Sequence, residues 1–458
     1  MTRDDVIQQL VDRVASGRMN RRDAMRRAAG LGISASAIGA ALSVRGAGAQ
    51  ATPAAATSYE PQGPQVDNLV VWTRSSPDTS PQEWDALVAA GEAYTGAIGT
   101  PVEFVTVPDA DFRNNLSLAA PGGDGPDVFG PVAHDWIGEV ATQEIAYQWP
   151  ADAIANVEDI PQAAIDAVSV NGEIYGYPVF SETLGFMYYS DVVESPPETW
   201  DELVPLATEL TGGETYGFSF NLLAPYYQGA FFHALGSYIF ANEEGVLNYE
   251  DIGLNNEGGV AAAIMLRDIY WQEAPPQPEA VLDQVNSGQF LDGLQESGNL
   301  PMTIAGPWRE PPMQASGIPY GITPLMTISD GQQLQPFVGY QAFEVNAYGE
   351  NVDASIDFVN FLGSAEGVSI MLPGFGKPPV RNSLRESAID LNPNLGIWMD
   401  AAENGIPMPN IPQMAQVWTP WGDAMLGIIG NNVSDDEVQA LLDAAVEQIR
   451  GNIEASGQ

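Results

Sequence analysis

From Asn68 to Val107 the sequence reads as strand, helix, strand, and that order leaves few architectures open. Asn68–Thr73 (NLVVWT) is a run of apolar and β-branched residues with the signature of a buried strand. Ser80-Pro81-Gln82-Glu83 signals a helix start: a capping hydroxyl, proline in the first turn and an acid three residues after the cap. Trp84, Leu87, Val88, Gly91 and Tyr94 then follow at helical spacing, and Val102–Val107 reads as the next strand. A β-α-β unit of roughly 40 residues predicts a parallel sheet covered by helices, hence an α/β chain. In open sheets of this kind ligands sit beyond the carboxyl ends of the strands. Thr73-Arg74-Ser75 and Pro108-Asp109 occupy such positions. A helix over Asp111–Ala120, a turn at Gly123–Asp127 and a short strand at Val128-Phe129 lead to a third, Gly130–Trp136, where Asp135 and Trp136 form a polar-aromatic pair. That pair suits ligand contact, or equally a helix cap with a packing tryptophan.

A second informative stretch is Asn171–Asp191 (NGEIYGYPVFSETLGFMYYSD). It predicts two strands, Glu173–Phe180 and Leu184–Tyr189, interrupted at Ser181-Glu182-Thr183. Either Glu182 tips a solvated hairpin, or the chain crosses between two lobes here and the carboxylate faces the cleft between them.

The composition removes whole classes of chemistry. The 458 residues are enough for two domains with cores. There is no cysteine, so no disulfide and no thiolate-bound metal. The two histidines, His134 and His233, are too far apart in sequence to suggest a metal site. Formal net charge is −44 and Lys377 is the single lysine, a balance that repels nucleic acid and anionic membranes. No phosphate loop, HExxH or nucleophile motif is present, so neither an ATPase nor a serine hydrolase is expected.

Charge is unevenly spread: eight of the 16 basic residues precede Ala49, against only four acids there. Arg21-Arg22, a mild apolar run over Ala28–Val44 and Ala47-Gly48-Ala49 together predict a twin-arginine signal peptide over 1–49, cleaved after Ala49. Gln50–Gln65 is rich in Ala, Thr and Pro and predicts a disordered leader.

Further along, Thr199-Trp200-Asp201-Glu202 predicts a capped helix to Leu210, Gly217–Phe220 a strand, and Gly258–Trp271 a helix with Trp271 available for the core. Leu300–Ala305 predicts a strand that ends in Gly306-Pro307-Trp308, and Phe337–Ala347 a long strand able to cross between lobes. Ser434-Asp435-Asp436-Glu437 predicts a capped helix with Val438, Leu441, Leu442, Ala445 and Ile449 on one face. What remains for function is a set of carboxylates and aromatic rings at strand ends. Carboxylates accept from neighbouring hydroxyls and flat rings pack on pyranose C–H faces, which suits sugars. The same set suits a polyamine, and the pair Asp135 and Glu182 would suit a glycosidase.

Six segments in this order, GDGPDVFGPVAHDW (123–136), the 171–191 stretch, PPETWDEL (196–203), AGPW (305–308), QPFVGYQAFEVNA (335–347) and ENGIPMPNIPQMAQVW (403–418), resemble the maltose/maltodextrin-binding proteins of ABC importers, within the family 1 extracellular solute-binding proteins. The resemblance covers nearly all of the chain after residue 66. It implies a two-lobed, periplasmic-binding-protein-like α/β fold with crossover strands near 178–183 and 338–342 and an interlobe ligand cleft. It places 66–180 with 342–380 in an N-terminal lobe and 181–341 with 381–458 in a C-terminal lobe. It implies no catalytic residue, metal or cofactor. The expected partners are a small carbohydrate ligand and the membrane permease of an importer, with the protein itself an exported monomer that binds no nucleic acid.

Carried over by matching positions, Asp135 and Glu182 correspond to carboxylates that bond sugar hydroxyls, and Tyr226, Trp308 and Trp418 to aromatic platforms. Tyr177 is expected beside Glu182. The sequence also departs from the pattern. Val132 replaces an aromatic residue, Arg74-Ser75-Ser76 an Asp-Lys pair, Ala224 a Glu, and Trp136 a basic residue. Arg74 and Trp136 are therefore candidate new contacts; the expected ligand is a maltodextrin-like sugar or oligosaccharide, with another oligosaccharide or a sugar of different linkage open in place of maltose itself.

Overall fold

A computed structural model describes residues 59–457 apart from Glu244, Glu273, Ala274, Ser329 and Asp330. The expected signal peptide, and the expected leader up to residue 58, lie outside the described residues. Two sheets organise two lobes. The first carries β1 (Leu69–Thr73), β2 (Val102–Thr106), β3 (Val128–Ala133), β6 (Tyr177–Glu182), β12 (Phe337–Val345) and β13 (Ile406–Pro407). Its order is β13-β12-β3-β1-β2, with β6 paired to β12 as well. β1 runs parallel to β2 and β3, as the β-α-β reading requires. The second sheet is three-stranded, β10 (Met302–Ala305), β7 (Gly185–Tyr189) and β11 (Tyr320–Thr323), with β7 central and antiparallel to both. Two short hairpins, β4 (Ser169–Val170) with β5 (Glu173–Ile174) and β8 (Phe240–Glu243) with β9 (Val246–Ile252), lie outside these sheets.

The helices obey the local rules unevenly. The helix Pro81–Ile98 has proline in its first turn and ends on Gly99 at φ 88, where a side chain would be strained. Ser80 forms no side-chain cap; its Oγ instead accepts from the Ser76 N–H, and Glu83 turns away to accept from Ser75 Oγ. Thr199 does cap Trp200–Leu210 through the Glu202 N–H. The full reciprocal capping box forms at Ser434 and Glu437, heading the helix Asp435–Ser456. That helix buries Val438, Leu442, Val446 and Ile449 in the second lobe's core, and Ala445 is buried as well.

Three differences from the sequence reading matter. First, β6 and β7 do not pair: the chain leaves the first sheet at Glu182 and enters the second at Gly185, so Glu182 ends a strand instead of tipping a hairpin. The run expected from Glu173 also breaks, because β5 ends at Ile174 and β6 starts only at Tyr177. Second, Gly217–Phe220 forms no strand, only a bridge from Ser219 to Thr303, and Trp271 stays 41 % exposed. Third, the segment from Tyr59 to Gln65 is not a free leader. Tyr59 Oη and the Gln62 N–H donate to Asp357, Gln65 Nε2 donates to the Gly99 carbonyl, and Asp357 also accepts from Tyr94 Oη at 2.9 Å.

β12 joins the two halves. Phe337 at its start packs in the second lobe's core, and Ala342 further along packs in the first lobe's. Thr183 Oγ1 donates to the Phe337 carbonyl at 2.8 Å, tying this passage to the one that follows β6. Where β12 lies along β3, Gly130 (φ +134) leaves no room for a Cβ, which would meet the Ala342 carbonyl at 2.7 Å.

Candidate functional site

The side chains singled out from sequence are distributed around this passage. Glu182, 9 % exposed, lies opposite Gly339 of β12, whose missing Cβ leaves space over the Glu182 side chain. Its Oε2 accepts from Gln341 Nε2 at 3.0 Å and faces Lys377 Nζ at 3.4 Å; Oε1 has no hydrogen bond among the described residues. Asp135 sits on a 3₁₀ turn, His134–Trp136, directly after β3. Its Oδ2 accepts from Trp418 Nε1 at 2.9 Å and pairs with Arg113 at 3.1 Å. Since Trp418 heads a helix, Trp418–Asn431, packed in the second lobe, the Trp418–Asp135 bond spans the two lobes.

The rings form a continuous wall. Trp418 lies 5.9 Å from Phe337 and is stacked at 6.3 Å on Trp421. Phe337 stacks on Tyr226 at 5.9 Å, and Tyr226 is 6.2 Å from Trp308. Trp308 occupies a 3₁₀ turn, Pro307–Arg309, just past the end of β10. Tyr226 heads the helix Pro225–Ala234, and its Oη is buried without a hydrogen-bond partner among the described residues. Burial first, then the charges of Glu182 and Asp135, push that phenol well above its ordinary pKa. Contacts thus link Asp135 to Trp418, and Trp418 through Phe337 to Tyr226 and Trp308; Glu182 lies beside this row, opposite Gly339 and next to Thr183, which bonds the Phe337 carbonyl.

Arg74 and Trp136 border this group on the first-lobe side in another arrangement. Trp136 is 6 % exposed, with Phe112 edge-on at 5.3 Å and the Arg113 guanidinium 4.4 Å from its centroid. The ring is covered by the helix Asp109–Ala119 and presents no open face. Arg74 lies 5.8 Å from the same ring and pairs with Asp109 at 3.0 Å. Burial works against its charge, but Asp109, Glu182 and Glu83 outweigh that and raise its pKa. Tyr177 is not brought to the group. It is fully buried in the first lobe, edge-on to Trp149 at 6.2 Å, and its hydroxyl contacts Arg381.

Several residues that hold the group were not foreseen. His134 is locked between the lobes: its Nδ1 accepts from the Tyr340 N–H at 3.0 Å, so Nε2 is the donor to the Met408 carbonyl at 2.9 Å. Burial lowers its pKa, keeping the ring neutral. Arg113, Gln341 and Lys377 complete the shell. Of these, Lys377 carried a signal in the sequence, as the single lysine in a strongly acidic chain. Beside Tyr227, Asn221, Asp292 and Arg309 line a small polar cavity of about 20 Å³, room for one water. Among the described residues no cluster of His, Asp or Glu could hold a metal ion, and no helix is long and apolar enough to cross a membrane.

Comparison with known proteins gives this geometry a context. The sequence model of the bacterial extracellular solute-binding proteins matches residues 75–369. A galactooligosaccharide-binding protein of Bacillus subtilis is 27 % identical over 392 residues, covering 84 % of this chain and 90 % of the relative. A maltotriose-binding protein of Pyrococcus abyssi is 27 % identical over 399 residues, covering 84 % of this chain and 82 % of the relative. Among solved structures, the Thermus thermophilus maltotriose binding protein bound with maltotriose superposes with a TM-score of 0.76 at 29 % identity, covering 84 % of this chain and all of that one.

Proposed function

The chain belongs to the bacterial extracellular solute-binding proteins, and from that premise we propose that it captures a neutral oligosaccharide between its lobes and delivers it to an ABC importer. What supports the reading is the bond of Asp135 to Trp418 and the ring contacts that run from Trp418 through Phe337 to Tyr226 and Trp308, with the Glu182 carboxylate at the end of β6 opposite Gly339 of β12, where the chain passes between lobes. Glu182 Oε1 and the orphaned Tyr226 Oη are polar atoms that a ligand hydroxyl would satisfy. An unpartnered buried hydroxyl costs about 1–3 kcal/mol, which a hydrogen bond from ligand recovers. Trp308 and Trp418 offer apolar faces to the ring C–H groups. Arg74 stands at the rim, while Trp136 acts through Arg113 and Asp135.

Closure follows from ligand contacts made by both lobes at once, which stabilise the closed form over the open one. The hinge passages are those after β6 and along β12. In this reading 66–180 with 342–380 make one lobe and 181–341 with 381–458 the other, and the exported chain works as a monomer.

Both carboxylates already accept from a neutral donor and face a cation, an arrangement that supports acceptors of hydroxyl hydrogens and does not favour glycosidic chemistry. The relatives bind both galacto- and malto-oligosaccharides by name, so the sugar is tested directly. A thermal-shift panel of maltose, maltotriose, maltotetraose, galacto-oligosaccharides and spermidine should raise Tm with at least one neutral oligosaccharide, with no product formed on incubation. No shift with any sugar would refute the reading. A shift with spermidine alone would replace it with a polyamine carrier.

A further inference from the structure

The protein has a single lysine and buries it: Lys377 is 3 % exposed. In a chain of net charge −44 a lysine is most useful at the surface, and a buried ammonium is costly unless it is paired. Lys377 Nζ stands between two carboxylates, 3.4 Å from Glu182 Oε2 and 3.6 Å from Glu83 Oε1, with the Phe375 ring centroid 5.7 Å away. Glu83 is separately held by Ser75 Oγ at 2.9 Å, so its position does not depend on the lysine. Glu182 Oε2 is shared between Lys377 and Gln341 Nε2.

These groups come from separate passages of the chain at the junction of the lobes. Glu182 is the last residue of β6, Gln341 lies within β12, and Lys377 follows the helix Ala365–Phe375. The residues after Lys377 run along the free edge of β6: the Ser181 N–H donates to the Pro378 carbonyl at 2.9 Å, and the Val380 N–H to the Val179 carbonyl at 3.1 Å. Lys377 is therefore fixed to the same strand that ends in Glu182, and β6 is held on one side by β12 and on the other by this segment.

We propose that Lys377 is the positioning residue for Glu182. It draws Oε2 back toward the strands, leaving Oε1 turned to the oligosaccharide, and it separates Glu182 from the second acid, Glu83. This inference rests on the functional reading above. Removing the ammonium leaves Glu182 and Glu83 side by side, with the charge of Arg74 as their shared counterweight, and leaves Gln341 as the sole remaining hydrogen-bond partner of the Glu182 carboxylate among the described residues.

A double-mutant cycle tests it. Affinity for maltotriose, with galacto-oligosaccharides run in parallel, is measured by calorimetry on the wild type, Lys377→Met, Glu182→Gln, the double variant and Lys377→Arg. Lys377→Met should lose about 10-fold in affinity, and less than about 2-fold when Glu182 is already Gln, with Lys377→Arg recovering part of the loss. A purely structural lysine would give losses that multiply. Multiplying losses, or wild-type affinity in Lys377→Met, would overturn the proposal while the functional reading stands. A wild type that binds neither sugar would overturn both. If Lys377→Met does not fold, the wild type supplies the measurement: an N-hydroxysuccinimide ester can acylate its single lysine side chain, read by peptide mass. Acylation of Lys377 should be slow, and slower with sugar bound. Because burial alone makes this rate slow, the sugar dependence is the readout, and a rate indifferent to sugar would overturn the proposal.

Discussion

Replacing Glu344 by Gln should flatten part of the protein's pH dependence of stability. Glu344 lies on β12, fully buried, and neither carboxyl oxygen has a hydrogen-bond partner among the described residues. Glu310 makes the contrast: equally buried, it accepts from Trp398 Nε1 at 2.8 Å, Asn394 Nδ2 at 3.2 Å and Tyr320 Oη. Without such donors, burial pushes the Glu344 carboxyl well above the usual carboxylate range, and the Arg74 charge opposes this too weakly to reverse it. The folded state therefore keeps the proton that the unfolded chain releases near pH ~4.3. For an acid with a raised folded pKa, the stability is fully present below the unfolded pKa and is lost as pH rises toward the folded one. The loss is about 1.4 kcal/mol per pH unit, so up to roughly 2.7 kcal/mol between pH 5 and pH 7. Glutamine cannot ionise and carries none of this slope. The assay is denaturant unfolding of both proteins at pH 5, 6, 7 and 8. The difference between them is the quantity to read, because His134 and His233, both with lowered pKa, impose the opposite slope below pH ~6.5. Glu344→Gln should gain on the wild type steadily from pH 5 to pH 7. Parallel profiles would show that Glu344 is ionised in the folded protein, and the burial argument would fail.

Trp308→Ala should weaken oligosaccharide binding by about 1–3 kcal/mol in calorimetry, as for loss of an aromatic platform; unchanged affinity would remove the ring from the site. Tyr226→Phe should separate stability from binding: deleting the orphaned hydroxyl raises the Tm of the free protein and lowers affinity, and a variant that binds as tightly as wild type would deny Oη a ligand role. Arg381→Met should be among the most damaging changes outside the cleft, at about 3–5 kcal/mol in chemical denaturation. It strips donors from the carbonyls of Ala155, Asn156 and Gly363 and a charge from Asp159; a loss below about 1 kcal/mol would show that water substitutes for the guanidinium.

The parts of the fold that were legible in sequence are those fixed by local chemistry. The β-α-β unit from Asn68, the helix capped at Ser434 and the strand ending in Gly306-Pro307-Trp308 all announce themselves through residues within a turn or two of one another. The cap expected at Ser80 failed because Ser75 and Ser76 compete for the same groups, a choice made by the loop preceding the helix. Tyr177 illustrates an error that geometry could have prevented. Five residues along a strand at roughly 3.3 Å each put it about 16 Å from Glu182, too deep in the first lobe to share its surroundings. Trp136 could not have been judged in advance, since what covers it, Phe112 and Arg113, comes from another element. The ties of Lys377 to Glu83 and Glu182, and of Trp418 to Asp135, join residues hundreds of positions apart, and no local pattern encodes them.

The clip at Asp357 bears on how the protein meets mechanical load. Tyr59 and Gln62 grip a carboxylate on the helix Val352–Leu362, and the neighbouring contacts of Gln65 and Val66, to Gly99 and Thr100, reach only the same lobe. A pull on the chain upstream of Tyr59 is borne there and does not pass across the cleft. If the lobes close about β12 as proposed above, a load entering at this clip falls on one half and leaves the other free to move.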